Sequence, residues 1–347
     1  MKCFKSVFVK KNLKDNFGFV FILFIVLLYF ICLIIFVTQS YSKLKSDIRN
    51  IHFSLNNKKE KKPIKQYNLK QNLIQLDIIK ASQLNKIYSK HLFNKYKVNP
   101  KNKVIYETGQ NKGSINSEKI LEYKDFELNS MNYLEAKKYD KRSFINYYIS
   151  LLKLNHLFMF AFVTENDYNS RIIKIFLFFF FFTVILVINA LFFNDDTMHK
   201  IYTDEGNYNF IYQIPIILYS TIISGIIHFL IKFLALSQSD IIEFKQEKNK
   251  INLDERYKKL LEKLRIKFMM FFVISFLFVI FFWYYISCFC GIYVNTESHL
   301  IKDSFISFLT AMIYPFGIYL IPAILRYLAL RFKNPWIYKF AKILQMI

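Results

Sequence analysis

The sequence predicts an all-α membrane protein of about five transmembrane helices, with an interfacial amphipathic helix and a partly disordered polar region. Three observations carry this expectation. Five separate stretches are long and apolar enough to cross a bilayer, and the charged residues gather between and beside them. Hydrophobic residues make up 54% of the 347, above the ~45–50% of ordinary soluble domains. A hydrocarbon core about 30 Å thick calls for roughly 20 apolar residues in helical form, because lipid offers backbone N–H and C=O groups no partners.

The stretches follow in order. Phe17–Val37 carries no charge, and Ile172–Phe193 has Lys174 near one end. Phe210–Leu236 contains Pro215, His228 and Lys232. Phe268–Cys290 is again uncharged, and Phe305–Leu325 holds Pro315, Gly317 and Pro322. A buried soluble helix rarely runs uncharged for so long. Composition alone is weaker evidence. Phe (40 residues), Tyr (24), Ile, Lys and Asn all have AT-rich codons, so their abundance points to an AT-rich protist genome as much as to lipid.

The chain divides into a tail with the first span (1–40), a polar Lys/Asn-rich region (41–142), an interfacial helix (143–170), a four-span region (171–330) and a basic tail (331–347). Within the polar region, 67–96 and 117–138 read as weakly helical, and 99–116 as a turn-rich loop. Residues 143–162 are apolar and aromatic but interrupted by Asn146, Lys153, Asn155 and His156. That pattern suits a helix lying in the interface better than a sixth span.

The formal charge is +23. Its distribution argues against nucleic acid, because Lys and Arg flank the spans and face anionic lipid headgroups instead. The expected partners are therefore the bilayer with its anionic headgroups and, through 241–267, a protein helix. Basic residues crowd 237–267 and the C-terminal tail, whereas 194–209 has only Lys200 and 291–304 only Lys302. The positive-inside rule then puts 237–267 and the C-terminus in the cytosol, and the two poor loops outside. Lys2, Lys5, Lys10, Lys11 and Lys14 ahead of the first span also ask for the cytosol, which conflicts with a cytosolic polar region. Three resolutions stand: an external N-tail against the rule, an external polar region, or a first helix that is not a simple span. The polar region has no Asn-x-Ser/Thr acceptor despite abundant Asn, which favours a cytosolic position for it.

Four cysteines (Cys3, Cys32, Cys288, Cys290) make no disulfide framework, and Cys288 with Cys290 lacks the further ligands of a zinc site. Apolar filler is the favoured reading over palmitoylation. No metal, cofactor or catalytic residue is expected. The segment 194–206 gathers Asp195, Asp196, His199, Asp204 and Glu205, oxygen-rich side chains of the kind that hold hard cations. It lacks the spacing and glycine of an EF-hand loop, so a solvated acidic loop is favoured. His228 and Lys232 sit one turn apart, where ionisable groups mark function by default; here a snorkelling Lys is favoured. Pro215, Pro315 and Pro322 kink their helices by removing a donor. Ser220, Ser224 and Gly225 form a small-residue packing face, and Asn189 should hydrogen-bond to a neighbouring helix. Leu253, Tyr257, Leu260, Leu261 and Leu264 give 241–267 the spacing of an amphipathic helix, of coiled-coil type, continuing into the fourth span.

Residues 139–170 (YDKRSFINYYISLLKLNHLFMFAFVTENDYNS), 188–195 (INALFFND), 197–220 and 295–326 resemble the C-terminal membrane region of multi-pass proteins of ciliate-like protists. This resemblance implies a multi-pass helical region and no particular activity. A fainter one is to the polycystin-1-like family, through Asn189-Ala190 closing one span, a Ser-containing span and a linker. The chain shows neither that family's β-sandwich domain nor a six-span channel module. The expected function is a non-catalytic subunit, anchor or scaffold of a membrane assembly. The alternative is a component of a cation channel or transporter using the acidic loop. An intramembrane enzyme ranks third, since the spans offer no paired Asp, His or Ser groups beyond His228 and scattered Ser.

Overall fold

A computed structural model describes residues 16–56, 124–165, 167–207, 209–246, 252–293 and 296–346. The stretch 67–96 and the loop 99–116 lie outside the described residues. Every regular element among the described residues is helical. Five helices are long and apolar enough to cross a membrane: α1 (Phe17–Asn56), α5 (Arg171–Phe192), α7 (Phe210–Ala235), α9 (Leu253–Ile292), and a broken fifth covering Glu297–Arg331. The chain is an all-α integral membrane protein.

α5 is the central helix. Its most apolar 18 residues are 61% buried, against 22% for α7 and 28% for α1. Phe176 and Phe180 are fully enclosed where α5 meets α1 and α9. Lipid tails are as apolar as these side chains, so close packing and cross-helix hydrogen bonds hold the bundle, not expulsion of water. Aromatic contacts supply much of that packing. Tyr29 of α1 lies edge-on to Phe176 at 5.8 Å and to Phe272 at 6.1 Å, and its hydroxyl donates to the Phe272 carbonyl at 2.9 Å.

α1 begins at a defined point. The Asn16 side chain accepts from Phe19 N at 2.8 Å as an N-cap, and its amide donates to the Ser287 carbonyl near the far end of α9 at 2.8 Å. At its other end, His52 meets Asp254 at 2.9 Å beside the start of α9. α1 thus runs the full length of the bundle and its two ends lie on opposite faces. Of the three ways around the conflicting N-terminal lysines, this geometry disfavours a first helix that fails to traverse. Those lysines themselves lie outside the described residues.

Gly18 sits where α1 and α9 touch. A Cβ there would lie 2.5 Å from Ile286 Cγ2 and 2.9 Å from the Ile286 carbonyl. Backbone cannot yield as a side-chain tip can. Gly18→Ala is therefore expected to destabilise the α1–α9 pair by about 1–3 kcal/mol, read as a lower midpoint for heat-induced aggregation in detergent; an unchanged midpoint would refute this contact.

The last span departs from the sequence reading. It starts at Glu297, eight residues before Phe305, and divides into α10 (Glu297–Ile318) and α11 (Leu320–Arg331). The break falls at Tyr319, just after Ile318, whose carbonyl the ring of Pro322 would meet in an unbroken helix. Pro322 occupies the first turn of α11, where the missing N–H costs nothing. Pro215 lies inside α7, which runs on over 26 residues.

The short helices gather at one end, the end that carries α8 (Gln238–Gln246) and the start of α9. They are α2 (Asp125–Ser130), α3 (Tyr133–Tyr139), α4 (Phe144–Asn155) and α12 (Pro335–Met346). α6 (Asp195–Thr203) lies at the opposite end. The segment expected as one interfacial helix over 143–170 is instead α4, a break at His156, and a π-helical turn at Met159–Val163. α4 packs on α11 and on the end of α10, where Tyr148 donates to the Phe316 carbonyl at 2.7 Å, and the π turn packs on α5. The helix expected across 241–267 is interrupted too: α8 ends at Gln246, and α9 restarts at Leu253 after Asn252 in the left-handed conformation.

Candidate functional site

Two polar assemblies stand out in an otherwise apolar molecule. The first lies inside the bundle, between α5, α7 and α10. Asn189 is wholly enclosed and donates through Nδ2 to Ser304 and Ser307, each at 3.3 Å. The Ser307 and Ser220 hydroxyls lie 3.1 Å apart, and Thr221 Oγ1 donates to the Ser307 carbonyl at 3.4 Å. Small hydroxyl side chains let three helices approach closely enough for these bonds to form. Along α7 the polar positions continue as Gln213, Ser220, Thr221, Ser224, His228 and Lys232, successive turns of one face. Asp303 and His299 occupy the matching face of α10, both buried. Several atoms in this seam are enclosed without a hydrogen-bond partner: Asn189 Oδ1, Gln213 Oε1, Ser224 Oγ and His228 Nδ1. The His228 ring rests 4.8 Å from Phe181, and Lys232 places its ammonium 4.6 Å from the Phe160 ring centroid.

The second assembly closes the end that carries the short helices. α2 has only six residues, too few to satisfy its own carbonyls. Arg326 of α11 donates to Leu128 O at 2.8 Å and Asn129 O at 3.1 Å, Lys342 to Ser130 O at 3.0 Å, and Tyr338 to Met131 O at 2.8 Å. Each carbonyl at the helix C-terminus thus meets a donor, three of the four from cations. Arg326 also binds Asp140 at 2.7 Å, and lies over the rings of Tyr147 at 4.5 Å and Tyr338 at 5.0 Å. Arg142 holds the same carboxylate from the other side through Nε at 2.8 Å and Nη2 at 2.9 Å, and reaches Asn129 Oδ1 at 2.8 Å. Nearby, Lys245 of α8 clamps both oxygens of Glu127, at 3.0 and 3.2 Å. Lys174 pairs with Asp167 at 2.9 Å, and Asp240 takes Lys267 at 2.7 Å and Lys263 at 2.8 Å.

Burial raises the Asp140 carboxyl, but the Arg142 hydrogen bond and the charges of Arg142 and Arg326 outweigh it, leaving Asp140 below its ordinary value of 3.8. A carboxylate with a depressed folded value adds stability above its unfolded value and loses it as pH falls through the folded one. Segment 124–143 is therefore expected to stay protected from protease at neutral pH and to be released below about pH 4. Asp140→Asn should remove that acid transition, and its persistence in this variant would refute the assignment.

The acidic group at 194–206 is dispersed. Asp195 and Asp196 form the first turn of α6, whose N-cap is Asn194; His199 is exposed; Asp204 pairs with Lys200 at 3.0 Å; and Glu205 sits at φ 53 beside Gly206. Among the described residues no three His, Cys, Asp or Glu side chains are grouped to hold a metal ion. Cys32 and Cys290 are buried free thiols, and Cys288 is half-buried.

Asn189, Ser220 and Ser224 were legible from sequence as packing positions. Asp303 and Ser304 were missed because 291–304 reads as an outer loop, and Ser307 because it stands as one polar residue in the apolar stretch Phe305–Leu325. The available signal was the helical spacing of 300, 303, 304, 307, 308 and 311, all buried on one face. The chain matches no protein-family model, no curated protein and no solved structure.

Proposed function

We propose that this chain is a non-catalytic membrane protein that works as an anchor or subunit of a larger membrane assembly, holding a rigid basic platform against the cytosolic leaflet. The observation that carries this reading is the fixing of 124–143 to the base of the bundle through Arg326, Lys342 and Tyr338. A short polar helix held by four donors from the last two helices is built to keep its position while something leans on it. The excess of Lys and Arg in 237–267 and in the tail supports a cytosolic position for that platform, beside anionic headgroups. Extraction in native lipid discs, followed by mass measurement, should give a particle heavier than one chain plus its lipids. Removing α12 should return it to the mass of a single chain, whereas a single-chain mass for the intact protein would end this reading.

The seam supports a second reading, a component of a cation pathway. Enclosed amide and hydroxyl oxygens without partners, such as Asn189 Oδ1 and Ser224 Oγ, are the oxygens a small monovalent cation or a water file uses inside a membrane. Sodium flux into proteoliposomes, lost in Asn189→Leu, would support it; liposomes as tight as protein-free ones would exclude it.

A further inference from the structure

A groove of about 460 Å³ runs between α1 and α9 on the outer surface of the bundle, outside the polar seam. Its walls are apolar: Val37 on one side, Met269, Val273 and Leu277 on the other, with Phe36 and Phe272 in the floor. Arg265 and Tyr41 stand at one end. From Arg265 to Leu277 the groove follows about 18 Å of α9 at 1.5 Å per residue. A single leaflet of hydrocarbon is roughly 15 Å deep. The groove therefore begins at headgroup level, on the platform side, and ends near the bilayer midplane.

Two features distinguish it from ordinary roughness. The flanking cations Lys263 and Lys267 are both taken by Asp240, while Arg265 is exposed and forms no ion pair among the described residues. A free guanidinium at headgroup depth is a bidentate phosphate ligand. In addition, α1 is locally wound as a π-helix over Phe36–Ser40, level with that arginine. The wider turn adds a residue and reshapes the wall at the mouth, a device that recurs at functional sites. The groove is a single leaflet long and ends on a cation.

We propose that the α1–α9 groove is a specific phospholipid site, with one acyl chain lying along Val37 and Val273 and the phosphate of an anionic headgroup held by Arg265. The full chain, reconstituted in discs of mixed phosphatidylserine and phosphatidylcholine and released for native mass spectrometry, should keep one phosphatidylserine in preference. Arg265→Gln should reduce that retention about fivefold, following the roughly 1 kcal/mol per cation near a membrane surface. Lys339→Gln, which removes an exposed charge from α12, should leave it unchanged. Val273→Trp should fill the groove and abolish retention of the tightly held lipid. Val273 is 52% exposed, so this variant is expected to fold, with unchanged helical circular dichroism. Equal losses in Arg265→Gln and Lys339→Gln would mean general attraction of annular lipid and would overturn the proposal. So would a Val273→Trp variant that retains the lipid, or a dimer that it dissociates, since the occupant would then be a second copy.

Discussion

Arg326→Leu is expected to release segment 124–143 from the bundle, raising amide-hydrogen exchange in α2 and α3 by roughly 100-fold or more. Arg326 is 3% exposed. Its removal leaves the Asp140 carboxylate, enclosed at 3% side-chain exposure, with Arg142 as its remaining cation. It also strips the donors from the carbonyls of Leu128 and Asn129. Breaking a buried pair by deleting one partner costs about 3–5 kcal/mol, because the other charge stays behind without compensation. The Asn129 carbonyl, left without that donor, adds about 1–3 kcal/mol where it stays dry, while Leu128 O keeps the Met131 N–H at 3.4 Å. Opening energies of that size correspond to the stated change in exchange. Arg326→Lys should fall between, since an ammonium supplies charge but not a planar fork over two tyrosine rings. Exchange in α2 unchanged by the Leu substitution would show that Arg326 is not what holds it.

Lys174→Met is expected to be as costly at a different place, by about 3–5 kcal/mol. Lys174 is 1% exposed at the start of α5, donating to Asp167 at 2.9 Å and to Thr164 O at 2.7 Å, with its ammonium 5.3 Å from the Phe160 ring centroid. Met nearly matches the chain length but takes the buried ammonium away from the Asp167 carboxylate, which keeps the Asn169 amide at 2.8 Å. The double variant Lys174→Met/Asp167→Leu should recover most of the loss, because no unpaired charge then remains. The readout is the fraction of full-length protein surviving a protease pulse in detergent. A double variant as weak as Lys174→Met would refute the coupling.

These pairs also mark what the sequence could and could not convey. Span positions were legible because an uninterrupted apolar run is a local property: Ile172–Phe193 and Phe210–Leu236 match α5 and α7 to within one residue at each end. The fifth span was misplaced at its start because Asp303 and Lys302 made 291–304 look like loop, although Asp303, Ser304 and Ser307 turn inward. Pairings such as Arg326 with Asp140 join residues 186 apart in the chain, and no local spacing encodes them. The interfacial helix was misread for a related reason. Asn155 and His156 looked like polar interruptions of one helix, whereas His156 caps α4 and ends it. Lys232 was expected to snorkel; its ammonium lies over the Phe160 ring, brought there by the π turn that follows α4, a pairing that the sequence spacing does not encode.

The central claim is that the long helices traverse a bilayer and leave Asn50 and Lys258 on one side, Asp196 and Ser298 on the other. Single cysteines at these four exposed positions, in a chain freed of its own thiols, would be probed with a membrane-impermeant maleimide on sealed vesicles of one orientation. Asn50→Cys and Lys258→Cys should label together, and Asp196→Cys and Ser298→Cys only after the vesicles are opened, or the reverse if the vesicles are inverted. Labelling of all four from the same side would contradict the account.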